Sequence, residues 1–368
     1  MNTQVMRKLR RDLLDGRRPA ACARCFMVED LGMESHRQSE NALWRDAITE
    51  LVAGTATDGA IEANVRTADL RLGNVCNLRC RMCSPQSTRA LLPEWASFHG
   101  VPLNHHYFDR FRGVDWFEDP AFWQRVEDGA PGLERINFAG GEPLLIRGMF
   151  DFLERIVASG RAPSMTISYN TNLTVLPERV RTLWPHFAAI RVTVSIDGVG
   201  AVNDYIRYPS RWEEVRANLL ALDAGVREFN LGAGLSTNTA VQVCNVFRLG
   251  ELLDFLANEL HHFEVPNLSI VTQPEHLDVR ILPPEIKAIA AERLTSLIAT
   301  SSARWRERWG DAGSRELVAA INGVATHMAE AGDAAELTKF RRWSEHLDRS
   351  RGQNTVAVVP ELAAIFAA

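Results

Sequence analysis

The cysteines of this 368-residue chain fall into a triplet, a pair and a singleton. The triplet lies in Asn74-Val75-Cys76-Asn77-Leu78-Arg79-Cys80-Arg81-Met82-Cys83. Spacings of four and three residues let Cys76, Cys80 and Cys83 converge on one metal group. Iron–sulfur clusters are ordinarily held by thiolates, and a cubane of four irons normally takes four of them. A triplet leaves one iron open to another ligand. Taken alone it also fits part of a zinc site, although structural zinc sites favour paired C-x2-C knuckles.

The elements that must carry this loop can be read on either side of it. Ala68-Asp69-Leu70-Arg71-Leu72-Gly73 alternates apolar and polar residues like a strand and ends on glycine. A cysteine loop at the C-terminal end of a strand lies where barrel enzymes put their chemistry. Downstream, short apolar runs alternate with amphipathic stretches, the pattern of βα units and a parallel sheet. Strands are expected near 69–73, 135–138, 165–169, 190–196, 229–236 and 268–272. Helices are expected at 149–159, 177–184, 211–224 and 246–258. The pattern predicts an α/β fold, an open, partial (β/α)6 barrel of TIM type, with every strand C-terminus on one face.

Three domains are expected: an N-terminal helical module over 1–58, the barrel over 59–282 and a helical C-terminal extension over 283–368. In the module, Val5, Leu9, Leu13 and Leu14 stripe a helix within residues 1–21 that Gly16 and Pro19 stop. A second helix is expected over 26–52, followed by a linker at 53–59. In the extension, Trp305, Trp309, Leu317, Phe340, Trp343 and Leu347 are the apolar anchors. The long interval between Cys83 and Arg135 holds His105, His106, Tyr107, Phe108, Phe111, Trp116, Phe117, Phe122 and Trp123. These rings either pack an extra helix on the barrel or form a lid.

Composition narrows the function classes. With 46% hydrophobic and 24% charged residues, the chain reads as an ordinary globular protein. A formal net charge of −5 gives no electrostatic reason to expect a nucleic-acid partner. No run is long and apolar enough to cross a bilayer. Residues 1–18 are basic and polar without the apolar core of a secretory signal. Few, clustered cysteines read as metal or redox sites in a reducing cytoplasm rather than as a disulfide framework.

Further constellations follow the expected strands. Ala139-Gly140-Gly141-Glu142-Pro143 closes the second, where glycines admit a ligand close to backbone and a carboxylate can accept from an ammonium group. The third runs into Ser168-Tyr169-Asn170-Thr171-Asn172, the fourth ends Ser195-Ile196-Asp197-Gly198, and the fifth is expected to end Ser236-Thr237-Asn238. Such side chains can bind ribose hydroxyls and carboxylates, and they serve equally as strand caps and turns.

The C-x3-C-x2-C loop, followed in order by this Gly-Gly-Glu-Pro turn, resembles the radical S-adenosylmethionine (SAM) superfamily over residues 69 to about 275. The resemblance implies a 4Fe–4S cluster on Cys76, Cys80 and Cys83, with SAM chelating the unique iron. It implies that Gly140, Gly141, Glu142 and Pro143 contact the methionyl amino group. Asn77, Asn170, Thr171, Asn172, Ser195, Asp197 and Asn238 become candidate SAM contacts. Arg207, in Asn203-Asp204-Tyr205-Ile206-Arg207, is similar to an arginine that pairs with the SAM carboxylate in related enzymes. An electron donor such as flavodoxin or ferredoxin would reduce the cluster, which cleaves SAM to a 5′-deoxyadenosyl radical. That radical would abstract a hydrogen atom from a peptide or small-molecule substrate, in natural-product or cofactor biosynthesis. Oxidation, epimerisation, cross-linking and group transfer are all open outcomes. Met82 departs from the aromatic residue that many members carry there.

The run from Arg17 to Cys25, followed by Glu29, Gly32, Ser35 and Arg37, resembles the closing segment of SPASM/twitch auxiliary-cluster modules. Here it precedes the barrel and lacks the upstream cysteines. Cys22 and Cys25 can therefore belong to a second iron–sulfur cluster, to a zinc half-site completed by a second subunit, or to no metal. Cys244 reads as a small buried hydrophobe, an auxiliary ligand, or a catalytic thiol that quenches a substrate radical. The competing class is a zinc-binding scaffold on a degenerate barrel. Residues 140–143 and the polar strand ends stand against it.

Overall fold

The computed structural model describes residues 2–30, 35–62, 64–113, 115–232 and 234–367. It divides into two units, residues 2–65 with 130–132, and residues 66–129 with 133–367.

The larger unit is built on β1 (Thr67–Leu72), β2 (Arg135–Gly140), β3 (Thr166–Thr171), β4 (Ala189–Ser195), β5 (Leu235–Val241) and β6 (Asn267–Ile270). They form one parallel sheet in sequential order, β1 to β6, the open α/β barrel that the sequence implies. Alternation along each strand sorts the side chains. Ile136, Phe138, Ile167, Tyr169, Ile190, Val192 and Val194 are fully buried. The alternate positions are polar, and register aligns Asp69, Asn137, Ser168 and Arg191 on four neighbouring strands. Helices Arg147–Ala158, Glu178–Leu183, Trp212–Ala224 and Leu249–Glu259 make the crossovers, close to their expected places.

The fifth strand is displaced from its expected position. Phe229 and Leu231 are buried, but in the turns after the Trp212–Ala224 helix, where Asn230 has a φ of 54° that ends extended structure. Ser236 and Asn238 therefore lie within β5 rather than at its end.

In the aromatic-rich interval, Phe108, Phe117 and Trp123 are buried, and Trp123 stacks on Phe152 with centroids 4.8 Å apart. These rings pack the insertion onto the barrel. The C-terminal extension is led by Pro284–Ala329, broken at Gly310 (φ 74°), and Ala334–Arg351, with the short turns Thr355–Val358, Pro360–Leu362 and Ala363–Ala367 after them. The second helix is capped by Asp333 at its start and by left-handed Gly352 at its end. Trp305, Leu317, Phe340, Trp343 and Leu347 are buried as expected, while Trp309 is half-buried. No helix among the described residues is long and apolar enough to cross a membrane.

In the smaller unit the first expected helix is shorter, Gln4–Leu14, and ends before a separate 3-10 turn at Ala20–Cys22; Met1 lies outside the described residues. The second is three helices, Ala23–Asp30, His36–Leu43 and Arg45–Ala53. Ser35 and Gln38 form a reciprocal capping box that starts a new helix, and Trp44 (φ −103°, ψ 16°) separates the last two. Residues 31–34, including Gly32, lie outside the described residues. Segment 53–59 contains a closed turn, with Ala56 N donating to Ala60 O and Arg7 paired with Asp58 at 2.5 Å.

Candidate active site

The C-terminal ends of β1 to β4 surround a cavity of about 690 Å³. Its wall includes Cys76, Cys80, Cys83, Gly140, Gly141, Asn170, Thr171, Asn172, Ser195 and Arg207. Asp69, Arg71 and Asn137 line it further down the strands.

The cysteine loop follows β1 through Gly73, whose φ of 60° suits glycine and where a Cβ would lie 2.4 Å from the Phe117 ring. The loop then runs against the glycine turn after β2. Gly141 N donates to Gly73 O at 3.1 Å and Glu142 N to Val75 O at 2.8 Å. A Cβ on Gly141 would sit 2.0 Å from Val75 O, so only glycine permits this approach. Cys76 Sγ accepts from Leu78 N at 3.4 Å and lies 3.7 Å from Asn172 Nδ2. Burial pushes the Cys76 thiol up to about 12. Cys80 and Cys83 share a hydrogen bond, which lowers the pKa of Cys80 and raises that of Cys83. Three thiols on one wall, beside a backbone cradle that excludes any Cβ, fit an iron–sulfur cluster with three protein ligands.

The Glu142 carboxylate is 1% exposed and accepts from Leu144 N (3.1 Å), Thr171 Oγ1 (2.7 Å) and Asn172 N (2.7 Å). It ties the β3 end to the glycine turn. Burial raises its pKa to about 6 against the pull of those three donors. Pro143 is also buried and begins a short 3-10 turn. Neither lines the cavity.

Arg207 follows the short helix Ala201–Ile206 after β4. Its Nε lies 2.8 Å from Asp197 Oδ2, and both groups are buried. Burial works against the guanidinium charge, but the Asp197 carboxylate outweighs it and raises the Arg207 pKa. Asp197 is thus an internal anchor; its other oxygen accepts from Ala240 N at 2.8 Å. Asn77 lies outside the cavity wall, joined to Asn172 (3.1 Å) and Thr174 (2.8 Å). Asn238 is held by Asn267 (2.8 Å) and Ser269 (2.7 Å) of β6 and also lies off the wall. Cys244 is fully buried, away from the cavity lining, and burial pushes its thiol up to about 12.

Sequence reasoning missed Gln86, Ser87 and Thr88, which line the cavity; Thr88 Oγ1 donates to Leu78 O at 2.8 Å and braces the loop. It also missed Asp69, Arg71 and Asn137. The signal for the first two was already present, because the alternation of β1 sets them on one face.

Cys22 and Cys25 belong to the smaller unit. Cys22 ends its 3-10 turn and Cys25 lies in the following helix, both half-buried. Beside them Glu29 accepts from Ser35 Oγ (2.5 Å) and pairs with Arg37 (2.7 Å), and Arg18 and Arg37 lie 4.9 and 5.0 Å from the Phe26 centroid. Hydrogen bonds to Glu29 chiefly raise the Arg37 pKa, with Cys25 and Cys22 adding to the rise.

The family model of the radical SAM superfamily matches residues 70–249. A GTP 3′,8-cyclase of Moorella thermoacetica is 30% identical over 309 residues, 79% of this chain and 86% of that protein. The chain belongs to the radical SAM superfamily, and it is an enzyme with a 4Fe–4S cluster and SAM as cofactors. A GTP 3′,8-cyclase of Helicobacter pylori is 25% identical over 184 residues, 50% of this chain and 49% of that one. Among solved structures, anSMEcpe with bound AdoMet and a Cp18Cys peptide aligns with a TM-score of 0.40 and 13% identity, over 66% of this chain and 60% of that chain.

Proposed function

We propose that this enzyme uses the cavity above β1 to β4 to start hydrogen-atom abstraction from a polar small molecule or peptide. The observation that carries the reading is the opening of three thiols, a glycine turn and a buried arginine onto one cavity. Cys76, Cys80 and Cys83 would hold the cluster. When bound, cluster and SAM together supply a carbon-centred radical. Gly140 and Gly141 leave backbone open to the methionyl end, and Arg207, held charged by Asp197, would take its carboxylate. Asn170, Thr171, Asn172 and Ser195 offer hydrogen bonds along the same wall.

The lower cavity supports a polar substrate. Asp69, Arg71 and Asn137 line it, and the Arg71 side chain is 79% exposed, with Asp69 at 3.7 Å as its ion-pair partner. These groups suit an anionic or richly hydrogen-bonding molecule better than an apolar side chain. The GTP 3′,8-cyclase activity of the relatives makes GTP the first substrate to test, and cofactor biosynthesis the first setting. A reducing cytoplasm with a flavodoxin or ferredoxin as electron donor suits the thiol set. Cys22 and Cys25 would contribute to a second iron–sulfur cluster.

Anaerobic reconstitution with iron and sulfide is expected to give a brown protein that makes 5′-deoxyadenosine from SAM and dithionite. Replacing Cys76, Cys80 and Cys83 with Ala abolishes this; cleavage that persists in that variant refutes the reading. A substrate reveals itself by stimulating 5′-deoxyadenosine formation, scored first with GTP and then with a peptide panel.

A further inference from the structure

The reaction described above leaves the C-terminal helix Ala334–Arg351 without a task, yet its last turns grip the cysteine loop. Arg81, which follows Cys80, is 1% exposed. Its guanidinium lies 3.5 Å from the Tyr205 ring centroid and donates to Tyr205 O at 3.0 Å. The same guanidinium donates to Asp348 Oδ1 at 2.5 Å and to Gln353 Oε1 at 3.0 Å. The second oxygen of Asp348 is fixed by Thr355 N (2.6 Å) and Thr355 Oγ1 (2.8 Å). Arg79, on the other side of Cys80, is gripped as well. Its carbonyl accepts from Arg351 at 2.8 Å, while Arg351 pairs with both oxygens of Glu94 (3.0 and 2.8 Å). Glu94 also takes the Arg79 guanidinium at 3.2 Å.

Cys80 is therefore bracketed by two arginines, Arg81 held through its guanidinium by Asp348 and Arg79 through its carbonyl by Arg351, both from the helix Ala334–Arg351 far along the chain. Neither Arg81 nor Arg351 lines the cavity, so neither touches cofactor or substrate in the reading above. A buried guanidinium without its carboxylate is strongly destabilising, which makes the Arg81–Asp348 pair a firm tie rather than a surface decoration.

We infer that Asp348 and Arg351 are positioning residues, a latch that fixes the Cys80 segment in its ligating conformation before any cluster is loaded. The inference rests on the assignment of Cys76, Cys80 and Cys83 as cluster ligands. Its physical content is preorganisation: the loop is ordered by protein contacts, so cluster binding does not bear that entropic cost.

The test uses the full chain carrying Asp348→Asn, Arg351→Lys or, as a control on the same helix, the exposed Arg349→Gln. Hydrogen exchange on metal-free protein is expected to quicken by about tenfold or more at amides 77–84 in the first two variants, with β3 and β4 unchanged. Iron content after reconstitution falls, and the electron paramagnetic resonance signal of the reduced cluster broadens or shifts. The control matches wild type. Wild-type exchange at 77–84 and a wild-type spectrum in folded Asp348→Asn overturn the latch, as does exchange that rises equally across the barrel. Should Asp348→Asn not fold, the double variant Arg81→Met/Asp348→Leu removes both charges together, and the same readouts decide. Failure of the ligand assignment looks different, because wild type itself then takes up no iron on these thiols while metal-free exchange still scores the latch.

Discussion

The loop at 76–83 and the turn at 22–25 both present a C-x2-C pair, but the chain surrounds them differently. In the loop a third thiol joins the pair, Cys80 is 5% exposed, and backbone, glycine turn and buried arginines hold each segment. At the turn two half-buried thiols sit beside two ion pairs, Glu29 with Arg37 and Asp30 with Arg18, and the aromatic face of Phe26. Sequence spacing alone makes the two look alike. The difference lies in how many ligands converge and how much of the fold is committed to holding them. The loop gathers three thiols that the surrounding fold braces, whereas the turn holds two thiols with local order only.

The largest expected break in that comparison comes from removing thiols. Cys80→Ala abolishes SAM cleavage, whereas Cys22→Ala/Cys25→Ala keeps about four irons and the cleavage of the loop. Iron and sulfide counting with absorbance spectra checks this; about four further irons present in wild type and lost in the pair variant mark a second cluster at the turn. Gly141→Ala comes next. Its methyl would collide with Val75 O, so the metal-free protein loses about 3 kcal/mol in denaturant melts and iron uptake falls.

Acid titration of Glu142 is a smaller effect. Its carboxyl, raised from 4.5 to about 6 by burial, holds its proton more tightly folded than unfolded. Stability from this group is therefore full below pH 4.5 and falls by about 2 kcal/mol as pH rises to 6, then stays flat. Melts of metal-free protein across that window show the slope, and Glu142→Gln removes it. Smallest of all, Ser35→Ala deletes the capping box of the His36–Leu43 helix at about 1 kcal/mol, visible as faster exchange confined to that helix. A matching change in the barrel unit would contradict the local character of the turn.

Much of the loop's setting was legible in sequence because chemistry and periodicity coincided there. The β1 alternation, the C-x3-C-x2-C spacing and Gly140-Gly141 each make sense within a few residues of chain. β5 was misread for a physical reason: Thr237 and Thr239 occupy fully buried positions, so its polar and apolar residues do not alternate cleanly. The nearby apolar residues Phe229 and Leu231, buried in turns, imitate a strand instead. For Glu142 the sequence shows a carboxylate but not the hydrogen bonds it takes from Thr171 and Asn172, which join β3 to the glycine turn. The grip of Arg81 by Asp348 spans 267 residues and leaves no local trace.

That same span bears on when the enzyme can become competent. Chains emerge from the ribosome N-terminal end first, and contacts of long sequence separation form only after both partners exist and the intervening loop has closed. The thiols of the 76–83 loop are made early, but Asp348, Arg351 and Gln353 follow after most of the barrel has been synthesised. If the latch holds, the cysteine segment settles only once residues 348–353 have been made, and stable cluster insertion is expected to follow their synthesis.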